Sequence, residues 1–557
     1  MRWHYGNWCL VAVSALTAFG QARDYGRSMV ITQQGMAATS QTLASQAGAQ
    51  ILAKGGSAVD AAITANAVLG VVEPMMDGIG GDLFVIYWDA KSGKLTGLNA
   101  SGPAPRGLSA EFLTKQGFQS IPEGIHSVTV PGAVDGWAKM HERFGKLPWK
   151  DLFQAAIAYA EEGFPVTEDA QRYWAGSVGS LRAHSANQPE TARVYLPGGR
   201  APRVGDVFKN PEMGRALRIL AEKGRDTFYK GEIAAAILKT SKSLGGTMTA
   251  EDLSTFSAEW VEPISSEYRG WRVYELPPNS QGIAALEMLN IMETLPAGKN
   301  GPYTSDELHR RIEAMKLAYS DLRYNGDPRF ADIPVHGLLS KDYARKRATA
   351  IDPAKANCSV AAGAPVFGET TYLTTVDKDG NIASWIQSLY DYFGSGVTVE
   401  GLGFLLHDRG QNFTLARGSA NVLAGGKRPS HTIIPGFMEK GDQHMGFGIM
   451  GGSNQAMAHA QFVSNVADYG MNVQQAMEAA RFRKNGAPGC DVRIEGRVSA
   501  TAIQGLKERG HQVQVIREYD SAVTGRGQAI LYNSTTKTKF GASDPRADGS
   551  AVPEPIR

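Results

Sequence analysis

Residues 370–388, TTYLTTVDKDGNIASWIQS, carry the pattern that decides the fold. Thr370 to Val376 is a run of β-branched and aromatic residues, which favours a β-strand. The Asp-Gly pair inside residues 377–381 is a turn signal of β-hairpins. Residues 382–388 then return as a second strand. The stretch therefore predicts an antiparallel hairpin that begins abruptly at two threonines.

The segment before the hairpin has a different character. Residues 353–369, PAKANCSVAAGAPVFGE, are mostly small and show no periodicity, which is typical of a linker or an exposed loop. A linker that ends at Thr370 on a strand is the layout of an N-terminal-nucleophile precursor. A threonine hydroxyl needs an adjacent base, and cleavage would free an α-amino group of pKa ~7.7–8.0 on the same residue. The alternative is that Thr370 is an ordinary strand residue.

The rest of the chain alternates helical and strand patterns. Residues 40–74 predict two helices, the first ending at Gly55-Gly56 and the second capped by Ser57. A glycine-rich entry then leads into a strand pair over residues 83–99. Further helices are predicted within residues 130–165, 211–240 and 283–293, and in a segment capped by Ser305.

Composition excludes several classes of protein. The chain has 557 residues, of which 43% are hydrophobic and 20% charged, so it is neither disordered nor dependent on disulfides for a core. Its net charge of +2 gives no reason to expect nucleic acid or an anionic membrane as a partner. Cys9, Cys358 and Cys490 form no C-x-x-C pair, which argues against a zinc site or a disulfide framework. A single Cys358–Cys490 bridge remains as the alternative.

Residues 1–22 predict a secretory signal peptide. Arg2 provides a positive start, an apolar run extends from Trp8 to Phe19, and small residues follow at a cleavage point. The alternative is a buried N-terminal strand or helix. No later run reaches ~18 apolar residues. We therefore expect a periplasmic or secreted mature protein that has no membrane partner.

Several longer motifs occur in one order along the chain. They are QAGAQILAKGGSAVDAAITANAVLGVVEP, DGIGGDLFVIYWD, PPNSQGIAALEMLNI, ETTYLTTVDKDGNIAS, FGSG, GKRPSHTIIP, GIMGGSNQ and GASDPR. With them the chain resembles the gamma-glutamyltranspeptidase (glutathione hydrolase) proenzymes from about residue 28 to its C-terminus. The resemblance implies an αββα N-terminal-nucleophile hydrolase fold with four layers and no cofactor. It also implies a partner that is a small-molecule amide: glutathione, another γ-glutamyl compound or a glutaryl compound.

The resemblance further implies how the precursor is divided. Self-cleavage would fall between Glu369 and Thr370. It would give a large subunit, residues 23–369, and a small catalytic subunit, residues 370–557, which together form one αββα domain. Thr370 would be the nucleophile, and Gly451 and Gly452 would supply oxyanion donors. Ser388 and Thr371 would support the nucleophile.

The chain departs from the family pattern at the residues that bind the substrate. Asn99 stands in place of the arginine that grips the γ-glutamyl carboxylate, and Asn412 in place of the aspartate that holds the α-amino group. His431-Thr432 replaces a pair of serines. The resemblance implies that these residues contact the substrate, together with Tyr390 and Arg409. Most of a lid loop is also missing between Phe413 and Lys427.

These departures predict a changed substrate. Losing a bidentate arginine removes about 1.5–3 kcal/mol, or roughly 10- to 100-fold in affinity or rate. Glutathione cleavage should be weak unless Arg106, Arg409 or His431 reaches the carboxylate. The pattern suits a neutral or carboxylate-only acyl group such as glutaryl, as in the branch that includes glutaryl-type cephalosporin acylases. The alternative to a substrate-binding role is that Arg409 is a structural residue and His431 a packed histidine. We expect no metal at either residue.

Two other functions remain open. A non-catalytic binding protein on the same fold would explain the loss of both substrate-reading charges, although retention of Thr370, Gly451 and Gly452 argues against it. A peptide-forming or capsule-anchoring acyltransferase would keep the nucleophile and change the acceptor.

Overall fold

The computed structural model describes residues 25–186, 188–361 and 369–556, with only the backbone at Glu369. The predicted signal peptide and residues 362–368 of the predicted linker lie outside the described residues. Strands β1 to β21 are, in chain order, Val30–Thr32, Met36–Thr39, Asp82–Asp89, Lys94–Ala100, Phe164–Pro165, Val207–Phe208, Glu259–Val261, Ile264–Tyr268, Trp271–Glu275, Glu369–Val376, Ile382–Tyr390, Val397–Thr398, Leu405–Leu406, Gly436–Lys440, Gln443–Ile449, Phe482–Arg483, Asp491–Glu495, Gln512–Ile516, Gly527–Asn533, Thr538–Ser543 and Ser550–Pro553.

Helices of the described residues lie around these strands. Helices α1 to α20 are, in chain order, Thr42–Ala53, Ala58–Val72, Ala110–Lys115, Ala133–Phe144, Gln154–Glu162, Glu168–Gly176, Val178–Ser185, Pro189–Tyr195, Pro211–Lys223, Asp226–Tyr229, Glu232–Ser243, Ala250–Ser254, Gly282–Glu293, Ser305–Asp321, Val335–Leu338, Lys341–Ala348, Asn454–Ala467, Val473–Glu478, Ala500–Glu508 and Ser521–Thr524. Among them, none combines the length and the apolar character that crossing a membrane would need.

Two seven-stranded sheets form the centre of the molecule. The first has the order β21-β2-β10-β11-β3-β4-β7, and the second β1-β20-β19-β15-β14-β9-β8. All neighbouring strands in both sheets are antiparallel. The hairpin predicted at the two threonines is confirmed as β10 and β11, in the middle of the first sheet.

Three apolar layers hold the sheets and helices together. Phe84, Ile386, Phe437 and Ile530 pack between the two sheets. Helices α1 and α2 cover the outer face of the first sheet, and α13, α14 and α17 that of the second. Since β11 is covered on both faces, all nine of its residues are buried. The predicted four-layer αββα architecture is confirmed.

The helix signals were largely correct. The Ser57 side chain accepts from Asp60 N in a capping box and starts α2. The predicted cap of α14 is wrong by one residue, because Thr304 accepts from Glu307 N and Ser305 is the first helical residue.

Cys358 and Cys490 form a disulfide, with a Cα–Cα distance of 5.0 Å. The argument against a disulfide, based on their spacing, is therefore wrong, and the alternative of a single bridge is the one found. The two cysteines lie 132 residues apart in sequence, and Gly489 N donates to Cys358 O at 3.1 Å. The described part of the predicted linker, residues 353–361, is thus tied to the start of β17.

Candidate active site

The predicted nucleophile lies at an irregularity in the central hairpin. Glu369 pairs with Tyr390, and Thr371 pairs with Gln387, so β11 advances by one residue more than β10 around Thr370. Such bulges re-aim side chains next to active sites. Tyr390 has a φ of +81° at this point, a value that residues with a side chain seldom adopt.

The Thr370 hydroxyl is fully buried between two polar side chains. It donates to Ser388 Oγ at 3.4 Å and accepts from Gln455 Nε2 at 3.3 Å. Ser388 Oγ in turn accepts from the backbone N–H of Tyr390 at 2.7 Å. The structure thus brings together Thr370 and Ser388, as the sequence predicts, and adds Gln455.

The predicted oxyanion glycines form the turn that precedes α17. Gly451 has a φ of +126° and Gly452 a φ of +59°, which L side chains avoid. The carbonyl oxygen of Gly452 accepts from Gln281 Nε2 at 2.9 Å, which helps fix the turn. Within the described residues, neither glycine N–H has an acceptor. Gln455, three residues after Gly452, contacts Thr370 Oγ. The two N–H groups therefore lie on the turn that leads into this contact.

Thr371 contacts a buried carboxyl group instead of the Thr370 hydroxyl. Its Oγ1 donates to Glu73 Oε2 at 3.3 Å, and Ser40 Oγ donates to the same oxygen at 2.5 Å. Burial raises the pKa of Glu73, and the nearby Arg526 guanidinium opposes that rise. Because neighbouring strand residues point to opposite faces, Thr371 can anchor the start of β10 from the side away from Thr370 Oγ.

Asp82 is the centre of a buried ion cluster at the start of β3. Its Oδ2 lies 2.7 Å from Arg409 Nε, 2.8 Å from His431 Nε2 and 3.2 Å from His407 Nδ1. Arg409 also donates through Nη2 to Asp82 Oδ1 at 3.2 Å and through Nη1 to Thr432 Oγ1 at 2.8 Å. Asp82 pairs with Ser388 across β3 and β11, so the cluster adjoins the residue that Thr370 contacts.

The charges in this cluster compensate each other. Burial alone would raise the pKa of Asp82, but Arg409 and His431 hold that pKa well below its ordinary value. Burial and the Arg409 charge lower the pKa of His431 to about 4, although the neighbouring Asp82 opposes that change. The Arg409 guanidinium also lies 4.5 Å from the centre of the Tyr390 ring. This geometry agrees with the alternatives in which Arg409 is a structural residue and His431 is a packed histidine.

The two asparagines at the predicted charge positions differ in their contacts. Asn99 Nδ2 donates to Asn279 Oδ1 at 2.9 Å, and Asn99 Oδ1 accepts from Ser101 N at 3.0 Å. Asn412 is only 7% exposed, yet neither of its amide atoms has a partner in the described parts of the chain. An unpaired buried amide costs about 1–3 kcal/mol, so a hydrogen-bonding partner at Asn412 would recover part of that cost.

Arg106 lies apart from these residues. Its guanidinium is half exposed and pairs with Glu251 and Asp252 at 3.3 and 3.7 Å. Its guanidinium is therefore already paired with one exposed acid, Glu251, and one buried acid, Asp252.

One buried group of possible metal ligands occurs in the described residues, away from Thr370: His309, Glu313 and His511. His309 Nδ1 and His511 Nε2 already share a hydrogen bond of 2.8 Å, and Glu313 pairs with Lys316 at 2.5 Å. Burial and the neighbouring His309 lower the pKa of His511 to about 3. The group is better described as a hydrogen-bonded histidine pair beside an internal ion pair.

Sequence reasoning missed Gln455, Asp82 and Glu73 as residues near the predicted nucleophile, Thr370. Gln455 and Asp82 lie inside the quoted segments GIMGGSNQ and DGIGGD, and Glu73 lies near the end of the second predicted helix. Asp82 and Gln455 lie one and three residues after a glycine pair, and Glu73 lies at a helix end. These positions were the signal that could have identified them.

Known proteins share this architecture and sequence. Residues 44–554 match the family model described as gamma-glutamyltranspeptidase. The chain is 37% identical to the glutathione hydrolase-like YwrD proenzyme of Bacillus subtilis, over 94% of this chain and 99% of that one. It is 33% identical to the oxamate amidohydrolase proenzyme of Klebsiella pneumoniae, over the same shares of the two chains.

A solved structure is also similar. The crystal structure of cephalosporin acylase from Bacillus halodurans aligns with a TM-score of 0.89 and 42% identity, covering 96% of this chain and 98% of that one. Fold, sequence and the buried threonine at the head of β10 agree. The chain therefore belongs to the gamma-glutamyltranspeptidase family, as a self-processing N-terminal-nucleophile hydrolase of acyl amide bonds.

Proposed function

We propose that this enzyme hydrolyses amides of acyl groups that lack an α-amino group, glutaryl amides above all, and that γ-glutamyl amides are poor substrates. One observation carries the proposal: the predicted acyl-binding positions offer the amides of Asn99 and Asn412 and no uncompensated charge. Arg409, the one cation among those positions, is paired with Asp82.

The chemistry would begin with self-cleavage. Thr370 Oγ attacks the carbonyl carbon of Glu369, the C–N bond breaks, and the freed amine receives the hydroxyl proton. Water then opens the resulting ester and leaves a carboxylate on Glu369. The N–H groups of Gly451 and Gly452 are the donors for the oxyanion that forms in each of these steps.

Turnover would repeat these steps on a substrate amide. The free α-amine of Thr370 accepts the Oγ proton, Oγ attacks the acyl carbon, and the leaving amine takes the proton. Water hydrolyses the acyl-enzyme and releases the carboxylic acid. Ser388, held by the N–H of Tyr390, would orient the hydroxyl, and Thr371 would hold the strand through Glu73.

The acyl pocket would disfavour γ-glutamyl groups because it lacks the charges that bind them. A zwitterionic γ-glutamyl end needs an anion for its ammonium group and a cation for its carboxylate. Asn412 can accept from or donate to a neutral group, but it gives an ammonium no charge. The Asp82–Arg409 pair is neutral overall, although Arg409 retains N–H groups that a single carboxylate could approach. Tyr390, His431 and Thr432 would form the adjoining wall.

The relatives support an acyl group other than γ-glutamyl. One is named an oxamate amidohydrolase and another a cephalosporin acylase, while a third is named glutathione hydrolase-like. The family thus contains proteins named for different substrates. Asn99 and Asn412 favour a substrate whose acyl group has no α-amino group.

We also propose that the protein is exported to the periplasm or secreted. The Cys358–Cys490 disulfide supports this, because disulfides persist in oxidising compartments. The predicted leader points the same way.

Two measurements test the proposed function. The intact mass of the denatured protein should show two chains under reducing conditions, the smaller beginning at Thr370, and a Thr370→Ala variant should remain one chain. We then expect kcat/KM for glutaryl-p-nitroanilide to exceed that for γ-glutamyl-p-nitroanilide by about 10-fold or more. A clear preference for the γ-glutamyl anilide would refute the substrate proposal. A chain that stays uncut would favour the binding-protein alternative.

Adding a dipeptide acceptor tests the acyltransferase alternative. Formation of an acyl dipeptide in place of the free acid would show that transfer, not hydrolysis, is the main reaction.

A further inference from the structure

Gln455 contacts the reacting oxygen, and its orientation is fixed. The side chain is fully buried in the first turn of α17. Its Oε1 accepts from the backbone N–H of Ile434 at 3.0 Å. Because an N–H can only donate, the amide oxygen must face Ile434, and the NH₂ group must face Thr370 Oγ.

This orientation restricts what Gln455 can do. The nitrogen lone pair of an amide is delocalised into the carbonyl group and does not take up a proton near neutral pH. Gln455 therefore cannot be the base that activates Thr370. It can only donate a hydrogen bond to Oγ, at 3.3 Å. The hydroxyl hydrogen of Thr370 is left to point toward Ser388 Oγ. Gln455 therefore sets the direction of the hydroxyl as well as contacting it.

We propose that Gln455 is a catalytic residue that stabilises Thr370 Oγ whenever that oxygen carries developing negative charge. The inference rests on the proposed role of Thr370 as the nucleophile. Two moments call for this donor. During attack, Oγ loses its proton while the bond to the acyl carbon forms. During deacylation, water adds to the acyl carbon, the C–Oγ bond breaks, and a proton from that water ends on Oγ.

Gln455 would thus complement the glycine turn. Gly451 and Gly452 present N–H groups for the carbonyl oxygen, whereas Gln455 serves the oxygen of the nucleophile. The amide keeps its own protons throughout, so no proton is transferred to or from it. Removing one such donor should lower the rate by about 10- to 100-fold.

The test compares Gln455→Leu and Gln455→Glu with a matched control in the same helix. Gln461 is also buried, but within the described residues its amide contacts only backbone groups. Its Nε2 donates to the carbonyl oxygens of Met457 and Phe482, and its Oε1 accepts from Phe482 N. The measurements are the first-order rate of self-cleavage by intact mass, kcat and KM of the processed enzyme, and the melting temperature.

We expect Gln455→Leu to slow self-cleavage and kcat by about 10- to 100-fold with little change in KM. Gln461→Leu should lower the melting temperature without this loss of rate. Gln455→Glu keeps an acceptor for Ile434 N and loses the donor when it is ionised. Its self-cleavage rate, relative to wild type, should therefore recover as the pH falls and the carboxyl group becomes able to donate.

Three results would overturn the inference. They are a wild-type rate in folded Gln455→Leu, an equal loss in Gln461→Leu, and a rate in Gln455→Glu whose ratio to wild type does not change with pH. Since Gln455→Glu preserves the shape of the side chain, it decides the question even if Gln455→Leu fails to fold. If the wild-type chain itself is not cleaved at Thr370, the proposed function fails instead, which is a distinguishable result.

Discussion

Changing Asn412 to Asp should shift this enzyme toward γ-glutamyl substrates. The amide of Asn412 is buried, and neither of its polar atoms has a partner in the described residues. Asn412→Asp keeps the shape of the side chain and adds the anion that an ammonium group needs. A charge-assisted hydrogen bond contributes about 1.5–3 kcal/mol, so kcat/KM for a γ-glutamyl anilide should rise roughly 10- to 100-fold.

The same change should not help a glutaryl anilide. A glutaryl group has no ammonium, so the new carboxylate would stay buried and unpaired, at a cost of about 1–3 kcal/mol when ionised. The ratio of the two kcat/KM values should therefore change by at least the factor gained on the γ-glutamyl side. The assay is release of p-nitroaniline from both anilides by fully processed enzyme.

Asn472→Asp is the matched control. Asn472 caps α18 through its Oδ1, which accepts from Gln475 N, and an aspartate can cap a helix equally well. This variant adds the same charge to the molecule outside the site and should leave the ratio unchanged. If Asn412→Asp also leaves the ratio unchanged, Asn412 does not read the substrate, and the electrostatic argument for a glutaryl preference fails.

Three further predictions follow from the geometry. If self-cleavage occurs after Glu369, the Cys358–Cys490 disulfide should hold the two subunits as one species on a non-reducing gel, and a reductant should separate them; two bands without reductant would contradict this. Gly451→Ala should slow self-cleavage by about 10²–10³-fold, because a side chain strains the donor turn at φ +126°; a wild-type rate by intact mass would remove this glycine from the oxyanion site. Asp82→Asn should lower the melting temperature at neutral pH. Because Asp82 has a lowered folded-state pKa, its contribution is present above its unfolded pKa of about 3.9 and is lost as the pH falls through the lower folded value, so the difference from wild type should shrink in strong acid.

The sequence by itself determined the layers and the hairpin at their centre. Residues 370–388 specify β10 and β11 through β-propensity and an Asp-Gly turn, both of which act between near neighbours in the chain. The cap at Ser57 and the glycines after α1 are equally local. Signals of this kind fix secondary structure, and an apolar face on each element then requires the layers to pack on one another.

The sequence, read beside the family resemblance, also indicated most of the candidate site. Thr370, Ser388 and the Gly451-Gly452 turn lie in contiguous motifs, and the structure places Thr370 and Ser388 in contact. The two asparagines could be identified as departures because each stands in a recognisable segment.

Only the tertiary structure decided which side chains meet across long separations. Cys358 and Cys490 are bonded because the packing of β17 brings them together, which their spacing gave no reason to expect. Arg409 could be judged only once Asp82 was found beside it, since a charge acts on its neighbours in space. Gln455 lies 85 residues from Thr370 in sequence and contacts it from the start of α17. Propensity acts over a few residues, whereas ion pairs, hydrogen bonds and disulfides depend on distances in the folded chain.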